Sequence, residues 1–320
     1  MPKPTAKSVY TVPASAPPQP LKDFLRRQVG VSTNLWKKIK HSEEFRLNDL
    51  WVNPALAMVK GGDIISYELP IKTADYLWPE NLPLEVRYED EFLLVVNKPP
   101  GQLVHPTRQE ISGTLASAVL WHYKERGEVA AFHPVHRLDR NTSGLVLIAK
   151  APQIHYQLSP HGAKKFQREY LALVTGTPTP KSGVIDAPIG RDPRSIICRC
   201  ITPEGKPAIT HYETLWTTGE FSLLKLRLET GRTHQIRVHL SHLGHPLLGD
   251  DLYGGERKLI SRQALHAVKI AFTHPVTGQE IVVTAPLPPD MRGLIISESP
   301  SGASYKSGRP APTESLSPPS

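Results

Sequence analysis

Between Phe132 and Lys150 the chain reads Phe-His-Pro-Val-His-Arg-Leu-Asp-Arg-Asn-Thr-Ser-Gly-Leu-Val-Leu-Ile-Ala-Lys, and its first half is crowded with polar side chains. Asp139 is the one carboxylate in that stretch, and Arg137 and Arg140 flank it. An opposite charge close by keeps an aspartate ionised, the state required of a nucleophile or a base. The apolar run from Gly144 to Ala149 reads as a buried strand, and a polar loop pinned to a core strand is a usual place for a site. Composition alone favours a plainer reading, an Asp–Arg surface pair beside a turn closed by Thr142-Ser143-Gly144.

A second constellation runs Leu228-Glu-Thr-Gly-Arg-Thr-His-Gln-Ile-Arg-Val-His-Leu240. A strand ends at Thr230, Gly231 allows a sharp turn, and Thr233 is expected to cap a helix whose buried face carries Ile236, Leu240 and Leu243. Arg237 falls at the edge of that face. A guanidinium can sit there if it meets a buried carboxylate; otherwise it is water-capped on a surface helix. The 14 histidines suggest no metal: His133/His136 and His242/His245 have i, i+3 spacing, but no Cys or acidic ligand completes either set. Only two cysteines occur, Cys198 and Cys200, too few for a disulfide framework or a structural zinc. There is no phosphate-cradling P-loop and no Gly-x-Ser-x-Gly elbow, and no cofactor is expected.

The elements that must position these residues suggest about two domains in 320 residues. No apolar run approaches the roughly 20 residues of a membrane span, and no secretory signal is visible, so a cytoplasmic protein is expected. Residues 1–19 and 298–320 are rich in Pro, Ala and Ser and are read as disordered tails. Residues 20–72 form a small unit: Leu21, Phe24 and Leu25 have helical spacing, Gly30 stops that helix, and Ser32 caps a second one carrying Leu35, Trp36 and Ile39. Its one-sided basic charge (Arg26, Arg27, Lys37, Lys38, Lys40) suits phosphate, in a chain of net charge +8. Residues 73–83, with Trp78-Pro79 and Leu82-Pro83, read as a linker. In residues 84–297, Phe92–Asn97 and Glu169–Val174 read as strands and Thr114–Glu125 as a helix capped by Ser112. Alternation over 209–215 and 221–228 indicates antiparallel strands.

His136-Arg137-Leu138-Asp139 followed by Thr142-Ser143-Gly144-Leu145 resembles the signature of the RluA-type pseudouridine synthase family. Further blocks are similar: the Lys98-Pro99-Pro100-Gly101 turn, Pro188–Arg191, Lys206–Thr210, the Arg232–Leu240 stretch, His245–Asp250 and Ala264–Ala267. The resemblance implies an α+β fold with a mixed, largely antiparallel central sheet. It implies Asp139 as nucleophile, Arg237 as its ion-pair partner, Tyr170 stacked on the target base and Leu265 packed against it. Arg137 would fill the gap left by a flipped nucleotide, with Lys98, His105 and Arg232 as further substrate contacts. Arg168 stands where the family commonly has lysine. Residues 20–72 resemble an S4 RNA-binding domain, with Gly61-Gly62-Asp63-Ile64-Ile65 as its closing turn; Leu47-Asn48-Asp49 stands where that domain often has Val-Asn-Gly. The implied partner is structured RNA, ribosomal RNA of the large subunit before transfer RNA, acted on by a monomer. The competing readings are a noncatalytic RNA-binding or ribosome-assembly factor on the same fold and a tRNA-directed synthase. A hydrolase using Asp139 would need a second acid or an oxyanion motif, neither of which is present.

Overall fold

The computed structural model describes residues 5–70, 77–107, 109–128, 130–159 and 166–297. The first unit contains β1 (Thr5–Thr11), β2 (Gln19–Pro20), α1 (Leu21–Arg27), α2 (Thr33–Ile39), β3 (Arg46–Leu47), β4 (Leu50–Trp51), β5 (Met58–Val59) and β6 (Ile64–Pro70). Its core gathers Leu21, Phe24, Leu25, Trp36, Ile39, Phe45 and Tyr67, the apolar stripes of both helices closing on one sheet. Ser32 caps α2 as expected, its Oγ accepting the Leu35 N–H at 3.1 Å. At the β3–β4 turn Asn48 and Asp49 both take positive φ, 51° and 63°. The Asn48 amide fastens that turn to the Gly61–Ile65 turn, accepting from Ile64 N at 2.8 Å and donating to Asp63 at 3.0 Å.

The expectation of a disordered segment over 1–19 is corrected here. β1 pairs antiparallel with β6 along its whole length, from Thr5↔Pro70 to Thr11↔Ile64, and Val12 is fully buried. The partner lies more than 50 positions downstream, so local composition, dominated by the prolines around it, carries no trace of the pairing. The tail expected at 298–320 and positions 73–76 of the expected linker lie outside the described residues; 77–83 carry no helix or strand.

The larger unit contains β7 (Val86–Glu89), β8 (Leu93–Lys98), α3 (Leu115–Glu125), β9 (His133–Pro134), β10 (Ser143–Ala149), α4 (Pro152–Leu158), β11 (Phe166–Thr175) and β12 (Ser182–Asp186). It continues through β13 (Ile189–Arg191), β14 (Arg199–Ile201), β15 (Ile209–Thr217), β16 (Phe221–Leu228), α5 (Gln235–His242), β17 (Leu265–Thr273), β18 (Glu280–Thr284) and α6 (Pro289–Ser297). The main sheet has the order β12-β15-β16-β11-β17-β10-β8-β7, with β18 beside β17 and β9 beside β10. Its pairs are antiparallel except β10–β17, which run parallel. The architecture is α+β with a mixed, mostly antiparallel central sheet.

Strand parity decides which side chains meet. In β10, Val146 and Ile148 enter one core with α3, while Leu145, Leu147 and Ala149 enter another on the opposite face with α4. This is why the run is apolar without alternation. In β11, Tyr170, Ala172 and Val174 face the α3 side with Leu138, Ile236 and Leu265, and Leu171 and Leu173 face away. A one-residue slip would carry Tyr170 to the wrong face. Two helix starts differ from expectation. α3 is capped by Thr114, whose Oγ1 accepts from Ser117 N at 3.2 Å, because the extended cap geometry falls there and not at Ser112. α5 begins after His234, which sits at φ 59° with no side-chain cap, so Thr233 lies one residue too early.

Candidate active site

The polar loop between β9 and β10 is held residue by residue. The Asp139 carbonyl accepts from Thr142 N at 3.1 Å, closing a turn. Lys98 Nζ donates to the carbonyl of Arg140 at 2.9 Å, and Arg262 Nη1 donates to that of Asn141 at 3.1 Å. Gln263 Nε2 reaches Thr142 Oγ1 at 3.3 Å, and Ser143 Oγ meets His266 Nδ1 at 2.9 Å. His136 is buried, and its Nε2 accepts the Leu147 N–H at 3.2 Å, so the first residue of the motif is an acceptor for the backbone of β10. Burial keeps that imidazole well below its usual pKa and therefore neutral. Gly144 has φ 111°, and a Cβ there would lie 2.3 Å from the Ala267 carbonyl oxygen; only glycine lets β10 approach β17 this closely.

Against this loop stands α5. Arg237 Nη1 donates to Asp139 Oδ2 at 3.2 Å, the pairing expected for this arginine. Its stronger partner is Asp250, which takes Nε and Nη2 at 2.7 Å each in a two-pronged contact. Burial works against the Arg237 charge, and the Asp250 and Asp139 carboxylates more than offset it, so its pKa is raised. One guanidinium thus has its plane fixed by a buried carboxylate and offers its remaining edge to a more accessible one. The charge facing Asp139 comes from Arg237, 98 positions away, and not from its sequence neighbours. Arg140 instead pairs with Glu110, and Arg137 is exposed.

His234 Nε2 lies 3.8 Å from the same Asp139 oxygen. Its Nδ1 is 2.7 Å from the Tyr253 hydroxyl, which also accepts the Arg199 N–H at 2.9 Å. Burial pushes the Tyr253 phenol up to about 12, so it keeps its proton. Burial also lowers the His234 pKa, against the pull of Asp139. The imidazole is then neutral at neutral pH, with one ring nitrogen on Tyr253 and the other facing Asp139.

Asp139, Arg237 and His234 line a cavity of about 980 Å³. Of the other residues singled out in the sequence, Tyr170, Leu265, Arg137, His105 and Arg232 also border it. Tyr170 and Leu265 present a buried apolar wall, 4 % exposed each, and burial raises the Tyr170 phenol so that it remains neutral. Arg168, in place of the family's lysine, borders the cavity too. His105 packs edge-on against Phe132, and burial followed by the Arg137 charge lowers its pKa. Arg232 is anchored by its Nε to the Pro207 carbonyl at 2.9 Å.

Lys98 departs from expectation. It is 1 % exposed, does not border the cavity, and donates to the carbonyls of Pro99 and Gln102 as well as Arg140. The parity of β8 puts it on the same inward face as Leu94 and Val96. Burial pushes its ammonium down to about 7, against the attraction of Asp139. Its role here is to hold the loop, not to reach substrate. Sequence reasoning assigned no part to Asp250, His234, Tyr253, Arg262 or Gln263, although all five stood in stretches it singled out or beside them. A polar residue repeatedly placed next to apolar core positions was the available signal. The five basic residues of the first unit, Arg26, Arg27, Lys37, Lys38 and Lys40, are all exposed on or just after α1 and α2 and lie outside this cavity. Among the described residues no group of three or more His, Cys, Asp or Glu is placed to hold a metal, and no helix is long and apolar enough to cross a membrane.

Residues 92–242 match the family model described as RNA pseudouridylate synthase. The chain is 43 % identical over 280 residues to an uncharacterized RNA pseudouridine synthase, YjbO, of Bacillus subtilis, covering 85 % of this chain and 97 % of that one. It is 42 % identical over 259 residues to ribosomal large subunit pseudouridine synthase D of Pasteurella multocida, covering 76 % and 80 %. Among solved structures, human RNA pseudouridylate synthase domain containing 4 shares the fold at a TM-score of 0.51 and 24 % identity, over 65 % of this chain and 90 % of the other.

Proposed function

The chain belongs to the RNA pseudouridylate synthase family, and on that premise we propose that it isomerises uridines in structured RNA, with ribosomal RNA of the large subunit as the substrate. In this reaction the base is detached from its ribose, turned, and rejoined through carbon; the carbon gives up a proton and the ring nitrogen gains one. A uridine inside a folded RNA must leave its stack to be reached, and a cavity of about 980 Å³ has room for a flipped nucleotide.

The observation that carries this reading is the Asp139–Arg237 contact at 3.2 Å on the wall of that cavity. Asp139 is the nucleophile. Arg237, itself fixed by Asp250, orients the attacking carboxylate, so little reorganisation is left for the moment of reaction. The His234 imidazole faces the same oxygen from 3.8 Å and helps to position the carboxylate. Tyr170 stacks on the extruded base with Leu265 beside it, and its neutral phenol is a donor rather than a base at neutral pH. Arg137, exposed at the cavity, fills the space the nucleotide vacates. No cofactor enters this scheme.

Residues 20–72 serve as an S4-like RNA-binding unit. Their exposed cations supply phosphate affinity. The noncatalytic reading predicts loss of the aspartate or its arginine partner, and both are present. The similarity to a large-subunit enzyme favours ribosomal over transfer RNA.

The test is a pseudouridine map of ribosomal and transfer RNA from cells lacking the gene and from cells complemented with wild type or Asp139→Asn. A site that disappears and returns only with wild type is the expected result. A site restored by Asp139→Asn would remove that residue from the chemistry, and a change confined to transfer RNA would move the substrate.

A further inference from the structure

The hairpin β13–β14 carries a loop, residues 192–198, that ties itself together. Asp192 accepts the Arg194 N–H at 2.9 Å, and Ser195 Oγ accepts the N–H of Ile197 at 3.2 Å and of Cys198 at 3.1 Å. Arg199 Nη1 donates to the carbonyls of Ile197 and Cys198 at 3.1 and 3.0 Å. Polar groups inside the loop are thus spent on its own backbone, while its two aliphatic side chains face outward: Ile196 is 93 % exposed and Ile197 55 %. Ile197 borders the Asp139 cavity, and so does Leu252, itself 44 % exposed. Part of the cavity's rim is therefore an ordered apolar lip. Three exposed aliphatic side chains gathered at one rim, two of them on a loop held by its own hydrogen bonds, leave apolar surface available to a partner.

The lip is coupled to the chemistry. The Tyr253 hydroxyl joins the Arg199 N–H to His234, whose other nitrogen faces Asp139. The surroundings are cationic: Arg191, Arg194 and Arg199 outnumber Asp192 in the hairpin, and Arg137 and Arg232 border the same cavity. An apolar tip amid positive charge at the mouth of a nucleotide-sized pocket matches a nucleic acid stem, with phosphates outside and flat apolar base faces within. A protein partner or a membrane surface would call for a broader apolar face.

Resting on the reading above, we propose that Ile196 is a wedge that enters the RNA base stack beside the extruded uridine, with Ile197 and Leu252 as its apolar footing. The hairpin thereby contributes to the choice of stem. By this account the tip contributes to binding through base contact and not through charge.

The experiment compares wild type with Ile196→Ser and Ile196→Lys on an unmodified in vitro transcript of large-subunit ribosomal RNA. Both substitutions should raise KM about tenfold, the size of a lost base-step insertion, with the effect falling on KM rather than kcat. The slope of log Kd against log salt should not change with Ile196→Ser, since no phosphate contact is removed. KM within about twofold of wild type for Ile196→Ser, or a lower KM for Ile196→Lys, would overturn the wedge, the latter by showing that the tip merely meets phosphate. Failure of the enzymatic reading registers separately, as absence of pseudouridine with the wild-type protein. The same variants are then judged on transcript Kd, with the same criteria.

Discussion

Arg237 holds two carboxylates, and their geometry gives them opposite kinds of importance. The Arg237 and Asp250 side chains are 6 % and 0 % exposed, and two bonds of 2.7 Å join them. Asp139 is 28 % exposed and takes one bond of 3.2 Å. In Asp250→Asn an amide group would face the guanidinium, donor against donor, and a buried cation would lose its main counter-charge. Breaking a buried pair from one side costs about 3–5 kcal/mol. For a domain of this size that lowers Tm by on the order of 10 °C. Turnover should also fall by about 100-fold, because the arginine that aims Asp139 is no longer held in its plane. Asp139→Asn should do the reverse: it abolishes turnover and, with solvent already screening the pair, moves stability by less than about 1 kcal/mol. Thermal unfolding followed by circular dichroism, with single-turnover pseudouridine formation on the same preparations, reads both quantities. If Asp139→Asn melts as far below wild type as Asp250→Asn, or if Asp250→Asn melts with wild type, the division of labour argued from these distances is wrong.

Three further outcomes are expected. Burial holds His266 neutral by pushing it down to about 4, so the unfolded chain takes up a proton between about pH 6.5 and 4 that the folded chain refuses. This group therefore contributes a loss of about 1.4 kcal/mol per pH unit through that window, on top of falls of the same sign from the buried His133 and His136, and His266→Asn should lessen the slope by that amount in urea titrations taken at several pH values. Gly144→Ala should cost roughly 3–5 kcal/mol in the same assay, since the new Cβ meets backbone of β17 at 2.3 Å at a φ of 111°; a loss under about 1 kcal/mol would mean the strands can part there. Lys37→Ala combined with Lys38→Ala should weaken RNA binding and reduce the slope of log Kd against log salt by roughly 1.5, and an unchanged slope would place α2 away from phosphate.

Much of this was legible in the residues, for reasons that differ by element. The first-unit helices, α3 and the strand after Asp139 announce themselves through periodicity and run length, which are local properties. Asp139, Arg237 and Tyr170 were singled out through the family resemblance of the motifs that hold them, and all three border one cavity. What stayed hidden depended on distant partners. Nothing near Thr5–Thr11 indicates that it becomes a strand, because the hydrogen bonds that make it one come from β6. Lys98 reads as a cation near a site, and only the parity of β8 turns it inward to three carbonyls. Asp250 stands in a recognisable run, yet its pairing with Arg237 is fixed by where α5 meets the turn after it. The Ser32 cap of α2 was read correctly, while those of α3 and α5 were missed by two residues and one, since several hydroxyls were available and backbone geometry selects among them.

The pairing of β1 with β6 also bears on how the chain is made. Partners in this ladder are separated by between 53 and 65 positions, so β1 leaves the ribosome long before anything exists for it to bond. Until β6 follows, α1 and α2 can form but the sheet beneath them cannot close. Once β6 emerges, β3 borders it on one side and the waiting β1 closes the other. During the interval before that, β1 carries unpaired backbone groups able to recruit a strand from another molecule. Deleting Thr5–Thr11 would instead leave that edge of β6 uncovered for good, and the fault would surface as aggregation rather than as a defect in the chemistry.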